Sequence, residues 1–184
     1  MGLGAVVALC LLVEWGRLLI KCSFPLLGKM SYGVLGTLYL GIAILWFLSN
    51  LGLPDGWRLS FWILFLVWST DTGAYFGGKL LKGPKLAPSL SPNKTWSGFF
   101  SGLISGTTVG YFASLWLLPG VFPLGAIVVL VIISHLGDLL ESQAKRWSHV
   151  KDSGALIPGH GGVLDRLDSF LAVCFTLALW QVLF

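Results

Sequence analysis

The sequence contains 184 residues, of which 55% are hydrophobic and only 11% are charged. Soluble domains carry about 25% charged residues, and the mean hydropathy of this chain is +0.84. The composition therefore excludes a disordered chain and argues against a water-soluble globule. The net charge of +4 is typical of the basic cytoplasmic loops of membrane proteins, so we expect no nucleic-acid partner.

Six apolar segments are each long enough to cross a lipid bilayer, which takes about 20 residues of helix. Glycine, proline and charged residues fill the breaks between them. The sequence predicts an all-α polytopic membrane protein with about six transmembrane helices, folded as a single domain over residues 1–184. The segments cover residues 2–20, 32–49, 59–76, 96–118, 121–140 and 163–184.

Lysine and arginine gather on one side of this predicted topology. Eleven of the twelve basic residues lie at the end of the first segment, in the loops after the first, third and fifth segments, or, for Arg166, at the start of the sixth segment. Because basic loops mark the cytoplasmic side, we expect both termini to face outward. Within the first segment, Glu14 is expected to pair with Arg17, three residues further along the chain.

Two pairs of acids, Asp138 with Glu141 and Asp165 with Asp168, are each spaced three residues apart. If the backbone is helical, both members of a pair project from one helix face. Four carboxylates around one loop repel one another unless a cation lies between them, and all-oxygen ligands favour Mg²⁺. In the alternative interpretation, the acids only form ion pairs with nearby basic residues. Those basic residues are Lys145, Arg146 and Arg166.

The loop between these acid pairs is rich in glycine and contains Lys151, Asp152 and His160. Glycine lets the backbone approach a ligand closely, and successive amides in such a turn can bind an anion. A helix that begins just after Gly162 would add its positive end to the same site. His160 is a candidate phosphate ligand or proton carrier. The alternative interpretation of the loop is a flexible connector.

A third polar region runs from residue 69 to residue 95. It combines Asp71, near a helix end, with spaced lysines that include Lys85 and Lys94. This arrangement is suited to binding phosphate. Cytoplasmic lysines also bind anionic lipid head groups without specificity, so both interpretations stay open at this point.

Residues 142–168 resemble the signature of a known enzyme family. They contain Ser-Gln-Ala-Lys-Arg, then Lys-Asp-Ser-Gly, then Ile-Pro-Gly-His-Gly-Gly-Val-Leu-Asp-Arg-Leu-Asp. This pattern is similar to the signature of the phosphatidate cytidylyltransferases, also called CDP-diacylglycerol synthases. The runs Asp-Thr-Gly-Ala-Tyr and Lys-Leu-Ala-Pro-Ser-Leu-Ser-Pro-Asn-Lys-Thr resemble a second region of that family. Its members usually have further N-terminal helices, so the chain resembles an N-terminally short member.

The resemblance implies an enzyme that transfers the CMP moiety of CTP to phosphatidate, giving CDP-diacylglycerol and pyrophosphate for phospholipid biosynthesis. The attacking phosphate oxygen is already ionised at neutral pH, so the reaction needs positioning and cations rather than a strong base. The implied cofactor is Mg²⁺, with a second or a monovalent cation as a further option. The resemblance also implies contact with the lipid bilayer, a cytoplasmic active site in the bacterial plasma (inner) membrane, and a homodimer.

The resemblance further assigns roles to individual residues. Asp138 and Asp165 are expected to be the principal metal ligands, with Glu141 and Asp168 as further ligands or their neighbours. Basic catalytic residues are expected to hold the phosphates, namely Lys145, Arg146, Lys151 and Arg166. The remaining substrate contacts are assigned to Asp71, Lys85, Lys94, Asp152, His160, Gly161 and Gly162.

Two alternatives to this function stay open from the sequence. The first is a transporter or channel, in which Glu14, Asp71, His135 and Asp138 would form an ion path. Against it, the polar residues gather at one face, and no pair of broken helices predicts a midplane site. The second is a related membrane transferase, such as a CDP-archaeol synthase or a CTP-dependent polyprenol kinase.

Overall fold

Helices dominate the computed structural model, which describes residues 2–156 and 161–183. Within this part of the chain, each of the six predicted apolar segments forms a helix. The helices are α1 (Gly2–Lys21), α2 (Leu26–Leu51), α3 (Gly56–Leu81), α4 (Trp96–Leu117), α5 (Leu124–Trp147) and α6 (Leu164–Leu183). The mostly helical fold is confirmed. The predicted boundary of the fifth segment is too short, because α5 continues through residues 141–147.

Three of the helices, α2, α5 and α6, are long and apolar enough to cross a membrane by length and composition. The outer surface supports this interpretation. Large apolar side chains are exposed on this surface, and the exposed fraction is 88% for Trp116, 83% for Val182 and 81% for Leu27. Apolar surface on this scale is typical of a membrane protein, whose outward helix faces meet lipid.

A short hairpin between α3 and α4 was not predicted. Strand β1 (Lys85–Ala87) pairs antiparallel with β2 (Ser91–Thr95), and Lys85 lies opposite Thr95. The Thr95 hydroxyl then accepts a hydrogen bond from the backbone N–H of Gly98 at 3.1 Å, which caps the start of α4. The hairpin therefore leads directly into α4, and the cap fixes the last residue of β2 against the start of that helix.

The most extensive packing in the bundle is between α3 and α4. A row of small residues on α4 is buried and lets the two backbones approach closely. The clearest example is Gly106, where an added Cβ would overlap the Thr70 hydroxyl and lie 3.1 Å from Val131. The row consists of Gly98, Gly102, Gly106, Gly110 and Ser114.

The centre of the bundle is formed by α3, α5 and α6. Trp62 and Ile63 of α3, Ile127 and Val131 of α5, and Val173 of α6 are all fully buried. On the outer side of this core, α2 packs against α6 and α1 packs against α2. This arrangement brings the C-terminal half of α5 next to both α3 and the start of α6.

Candidate active site

Polar side chains from four elements converge around the C-terminal half of α5. They come from α3, from strand β2, from α5 itself and from the first turns of α6. These are the same elements that carry the signature and the second resembling region. The converging residues are Asp71, Lys94, Asp138, Glu141, Lys145, Asp165 and Asp168.

Lys145 joins the two halves of the signature. Its Nζ lies 2.5 Å from Glu141 Oε2, one helical turn earlier on α5. The same Nζ lies 2.9 Å from Asp165 Oδ1 at the start of α6. The side chains of Glu141 and Asp165 are 6% and 10% exposed, so the ion pairs are largely shielded from solvent. Removing one partner of a buried ion pair destabilises a protein much more than removing one partner of a surface pair.

Asp165 is also held by the backbone of the signature loop. Its carboxylate accepts hydrogen bonds from the N–H of Ser153 at 3.0 Å and from the N–H of Gly162 at 2.7 Å. Gly161 has a φ of +82°, a conformation that glycine adopts without strain. Two described parts of the loop, at Ser153 and at Gly162, therefore bind the carboxylate that follows the loop.

A second ion pair links the hairpin to α5. Lys94 Nζ of β2 lies 2.7 Å from Asp138 Oδ2. The charges of Asp71 and Asp168 interact electrostatically with that of Asp138. Three carboxylates from α3, α5 and α6 therefore lie within electrostatic reach of one another, and Lys94 forms its ion pair with that of Asp138.

Two cavities flank α5. The polar cavity measures about 440 Å³ and lies between α3, the hairpin, α4 and α5. The apolar cavity measures about 230 Å³ and lies between α1, α2, α5 and α6. Among the residues that line the polar cavity are Asp71, Tyr75, Lys79, Lys94, His135 and Asp138. Those that line the apolar cavity include Trp15, Tyr32, Tyr39, Leu140, Glu141 and Asp168.

The predicted acid pairs are thereby divided between two surroundings. Asp138 lines the polar cavity, whereas Glu141, three residues later, lines the apolar cavity. Asp165 points to Lys145, whereas Asp168 lines the apolar cavity. The spacing of three residues places both acids near one another on the helix, but the neighbouring helices α2 and α3 separate their environments.

The carboxylates around α5 are candidate ligands for a divalent cation. Within residues 2–156 and 161–183, no group of three or more His, Cys, Asp or Glu side chains is arranged to hold a metal ion. The chemistry of the donors fits Mg²⁺, which prefers carboxylate oxygens. Among the described residues, Glu141 Oε1 is buried and has no hydrogen-bond partner. A buried oxygen of this kind is costly to leave unpaired, so it suits a cation in the same place.

The other predicted site residues lie at the edge of this region. Arg146 is exposed, and its Nε donates a hydrogen bond to the Leu90 carbonyl at 3.1 Å, which ties the hairpin to the end of α5. Lys85 lies in β1 and is exposed. Three further predicted site residues are exposed, namely Lys151, Asp152 and Arg166. His160 lies outside the described residues.

Two residues have surroundings that the sequence interpretation did not predict. His135 lines the polar cavity and packs against Phe99, with 4.8 Å between the ring centroids. Glu14 does not follow the prediction of a pair with Arg17, because its carboxylate accepts hydrogen bonds from the N–H groups of Val163 and Leu164. These partners are separated from Glu14 by most of the chain, so no local spacing could indicate them.

Comparison with known proteins identifies relatives of the chain. The model of the cytidylyltransferase family matches residues 2–184. The phosphatidate cytidylyltransferase of Bacillus subtilis is 38% identical over 96% of this chain and 68% of the relative. The enzyme of that name from Staphylococcus aureus is 36% identical over 98% of this chain and 68% of the relative.

A third relative is more similar over a shorter region. The phosphatidate cytidylyltransferase of Brucella melitensis is 47% identical over 133 residues, which are 71% of this chain and 49% of the relative. The chain therefore spans about half the length of the Brucella relatives that it matches. The family model covers the chain from α1 to α6, and the chain belongs to the cytidylyltransferase family.

Proposed function

We propose that the chain transfers the CMP moiety of CTP to phosphatidate, forming CDP-diacylglycerol and releasing pyrophosphate. The observation that carries this proposal is the pair of cavities on two faces of α5, one polar and one apolar, with carboxylates of α3, α5 and α6 in their walls. A reaction between a water-soluble nucleotide and a membrane lipid requires both environments side by side. The family match and the names of the relatives support the same reaction, and they do not favour a transporter.

The reaction needs no side chain to remove a proton. An ionised phosphate oxygen of phosphatidate attacks the α-phosphorus of CTP, the bond from that phosphorus to the bridging oxygen breaks, and pyrophosphate leaves. The obstacle is repulsion between two polyanions, which positioning and fixed positive charge overcome. Lys94 and Lys79 line the polar cavity and would contact the triphosphate there. The acyl chains would enter from the bilayer side, along the apolar cavity.

The signature residues would complete the site around these substrates. Lys145 would hold Glu141 and Asp165 in place, as it does in the ion pairs described above. The exposed basic residues Arg146, Lys151 and Arg166 would bind phosphate groups from the cytoplasmic side. We propose further substrate contacts for Asp71, Lys85, Asp152, His160, Gly161 and Gly162.

We also propose that Mg²⁺ is the cofactor, with a second or monovalent cation as an option. When bound, Mg²⁺ would neutralise phosphate charge and polarise the reacting phosphoryl group. The residues that would hold it are Asp138 and Asp165, with Glu141 and Asp168 as further ligands or their neighbours. Their carboxylate oxygens and the unpaired Glu141 Oε1 support this assignment.

The proposed enzyme is a single domain with six membrane-spanning helices and a cytoplasmic active site in the bacterial plasma membrane. The lengths of α1, α3 and α4, which are 20, 26 and 22 residues, support crossings by these helices as well. Eleven of the twelve basic residues then lie on one side, as the positive-inside rule requires. A homodimer in the bilayer is part of the same proposal.

A direct assay tests the proposed reaction. Detergent-purified protein is incubated with CTP, Mg²⁺ and phosphatidate, and pyrophosphate and CDP-diacylglycerol are measured. The Bacillus subtilis relative is assayed in parallel, and a reaction without phosphatidate is the control for CTP hydrolysis. Formation of both products in equal amounts supports the proposal. Absence of product beside an active relative refutes it for this chain, and activity on archaeol phosphate or polyprenol instead would assign a different acceptor.

A further inference from the structure

Glu14 is a fully buried acid in the middle of α1, and its side chain has 0% exposure. Its Oε1 accepts a hydrogen bond from the N–H of Val163 at 3.0 Å. Its Oε2 accepts one from the N–H of Leu164 at 2.8 Å and a longer one from the Ser153 hydroxyl at 3.4 Å. The carboxylate of one helix therefore caps the first turn of another, where N–H groups have no partner within their own helix.

The signature loop closes around this carboxylate. A Cβ added to Gly154 would overlap Glu14 Oε1, and its next nearest atoms would be Glu14 Cδ at 2.8 Å and Cγ at 3.0 Å. A Cβ added to Gly162 would lie 2.6 Å from Glu14 Oε2. Two glycines that the sequence analysis assigned to ligand approach thus make room for a side chain of the protein itself.

Glu14 and Asp165 hold the same short stretch of backbone from two directions. Ser153 donates its N–H to Asp165 and its hydroxyl to Glu14. Gly162 donates its N–H to Asp165, while the next two N–H groups along the chain bind Glu14. Any movement of the loop away from Glu14 therefore also shifts two of the hydrogen bonds that fix the Asp165 carboxylate.

A carboxylate suits this position better than its amide counterpart. Both oxygens of Glu14 accept hydrogen bonds, and their negative charge lies at the positive end of α6. Glutamine keeps the size of the side chain but offers one acceptor oxygen, and its NH₂ group would face an N–H donor. The substitution Glu14→Gln therefore removes one of the two acceptor oxygens and the negative charge while it changes little in volume.

We propose that Glu14 is a positioning residue of the transferase, which holds the signature loop and the start of α6 so that Asp165 has its active geometry. This inference rests on the proposed function. Glu14 lies outside residues 142–168, and it acts through Ser153, Gly162 and the first amides of α6 rather than by touching a substrate. Loss of the Glu14 side chain is therefore expected to disturb the signature loop and the geometry of Asp165.

Hydrogen exchange of the complete protein in detergent tests the contact without any assay of activity. First-turn amides of a helix ordinarily exchange fast, but here the amides of Val163 and Leu164 are expected to be protected. In Glu14→Gln they should exchange about tenfold faster or more, whereas the core amide of Val131 keeps its rate. Equal rates at Val163 and Leu164 in the two proteins would overturn the proposal.

Kinetics separates positioning from loss of folded protein. A smaller active fraction lowers the apparent kcat and leaves KM unchanged, whereas a displaced loop also weakens binding of CTP. We expect Glu14→Gln to lower kcat about tenfold or more and to raise KM for CTP about fivefold. The control is Asp55→Asn, an exposed acid paired with Arg58 at 3.3 Å. An unchanged KM for CTP contradicts the proposal.

A second pair of variants keeps the proposal testable if Glu14→Gln does not fold. Gly154→Ala alone adds a methyl group against Glu14 and should lower kcat/KM about tenfold. In a Glu14→Ala background, the same Gly154→Ala change should cost less than about twofold, because the two sites are coupled. Additive losses overturn the proposal. If unsubstituted protein forms no CDP-diacylglycerol, the reaction is refuted, and the exchange rates still decide whether Glu14 holds the loop.

Discussion

The polar and apolar cavities share α5 as a wall and differ in what lines the rest. The polar cavity, of about 440 Å³, is bordered by Lys79, Lys94 and Asp138. The apolar cavity, of about 230 Å³, is bordered by aromatic rings and by the carboxylates of Glu141 and Asp168. One helix therefore presents acids to two different environments within a single turn.

The two linings suit two unlike substrates. A lysine pairs with a carboxylate in the wall of each cavity: Lys94 pairs with Asp138 of the polar cavity, and Lys145 pairs with Glu141 of the apolar cavity. In the proposed reaction, the nucleotide and the lipid approach α5 from two sides. Substitutions in one cavity should then change KM for one substrate more than KM for the other. Substitutions of residues between the cavities should change both KM values.

The largest effect is expected at Asp165, which belongs to neither cavity wall and accepts hydrogen bonds from Ser153 and Gly162 of the signature loop. Asp165→Asn weakens the interaction with Lys145 and should lower kcat about 100-fold to 1000-fold, because the proposed metal ligand and the loop are both affected. Product formation is measured by release of pyrophosphate. Membrane insertion should match that of Asp55→Asn, whereas the thermal unfolding midpoint should be lower, because the buried ion pair with Lys145 loses its negative partner. Near-normal activity in Asp165→Asn would contradict the assignment of this residue.

The next largest effect is expected in the polar cavity. Lys94→Met removes the cation 2.7 Å from Asp138 and should raise KM for CTP about tenfold. KM for phosphatidate should change less than about twofold, since the acyl chains lie on the other side of α5. The matched control is Lys82→Met, at an exposed lysine of the same loop. Equal increases in both KM values would contradict the assignment of CTP to the polar cavity and of phosphatidate to the apolar cavity.

In the apolar cavity we expect a smaller effect, and on KM for phosphatidate rather than on KM for CTP. Leu140 lines this cavity and is 64% exposed, so Leu140→Trp partly fills its mouth with little disturbance of the core. KM for phosphatidate should rise about fivefold, with KM for CTP unchanged. Leu136→Trp, one helical turn earlier on the same helix, is the control. The interpretation fails if both tryptophan variants behave alike.

The smallest effect on catalysis is expected at the interface between α3 and α4. Gly106→Ala overpacks this contact against Thr70 and Val131 and should lower the free energy of unfolding by about 1–3 kcal/mol. KM for either substrate should change less than about twofold, because neither cavity includes Gly106 in its lining. Chemical unfolding in detergent measures the first quantity. At Gly125, where an added Cβ meets nothing within 4 Å, the same change to alanine should not destabilise the protein.

The helices were the most predictable part of the fold. Apolar runs bounded by glycine, proline and lysine locate all six within the described residues, because the length of an apolar run reflects burial or contact with lipid. The end of α5 was misjudged since residues 142–147 include several polar side chains. Those residues remain helical because Lys145 pairs with Glu141 one turn earlier and Ala144 is buried.

The site was predictable in its composition more than in its geometry. Acids, lysines and glycines of the signature were identified from the sequence, and Asp138, Lys145 and Asp165 do meet their partners around α5. The separation of Asp138 from Glu141 depends on where α2 and α3 pack. The partners of Glu14 depend on contacts across 149 and 150 residues of chain. Neither kind of information is present in local spacing.

The hairpin between α3 and α4 is fastened to α5 at two points. Lys94 of β2 contacts Asp138, and the carbonyl of Leu90, between the strands, accepts a hydrogen bond from Arg146. These two contacts lie more than two turns apart along α5, so they resist rotation of the hairpin as well as its separation. The hairpin and the wall of the polar cavity that carries Asp138 are therefore joined at two points. In the proposed reaction, a nucleotide would enter that cavity beside the hairpin rather than displace it.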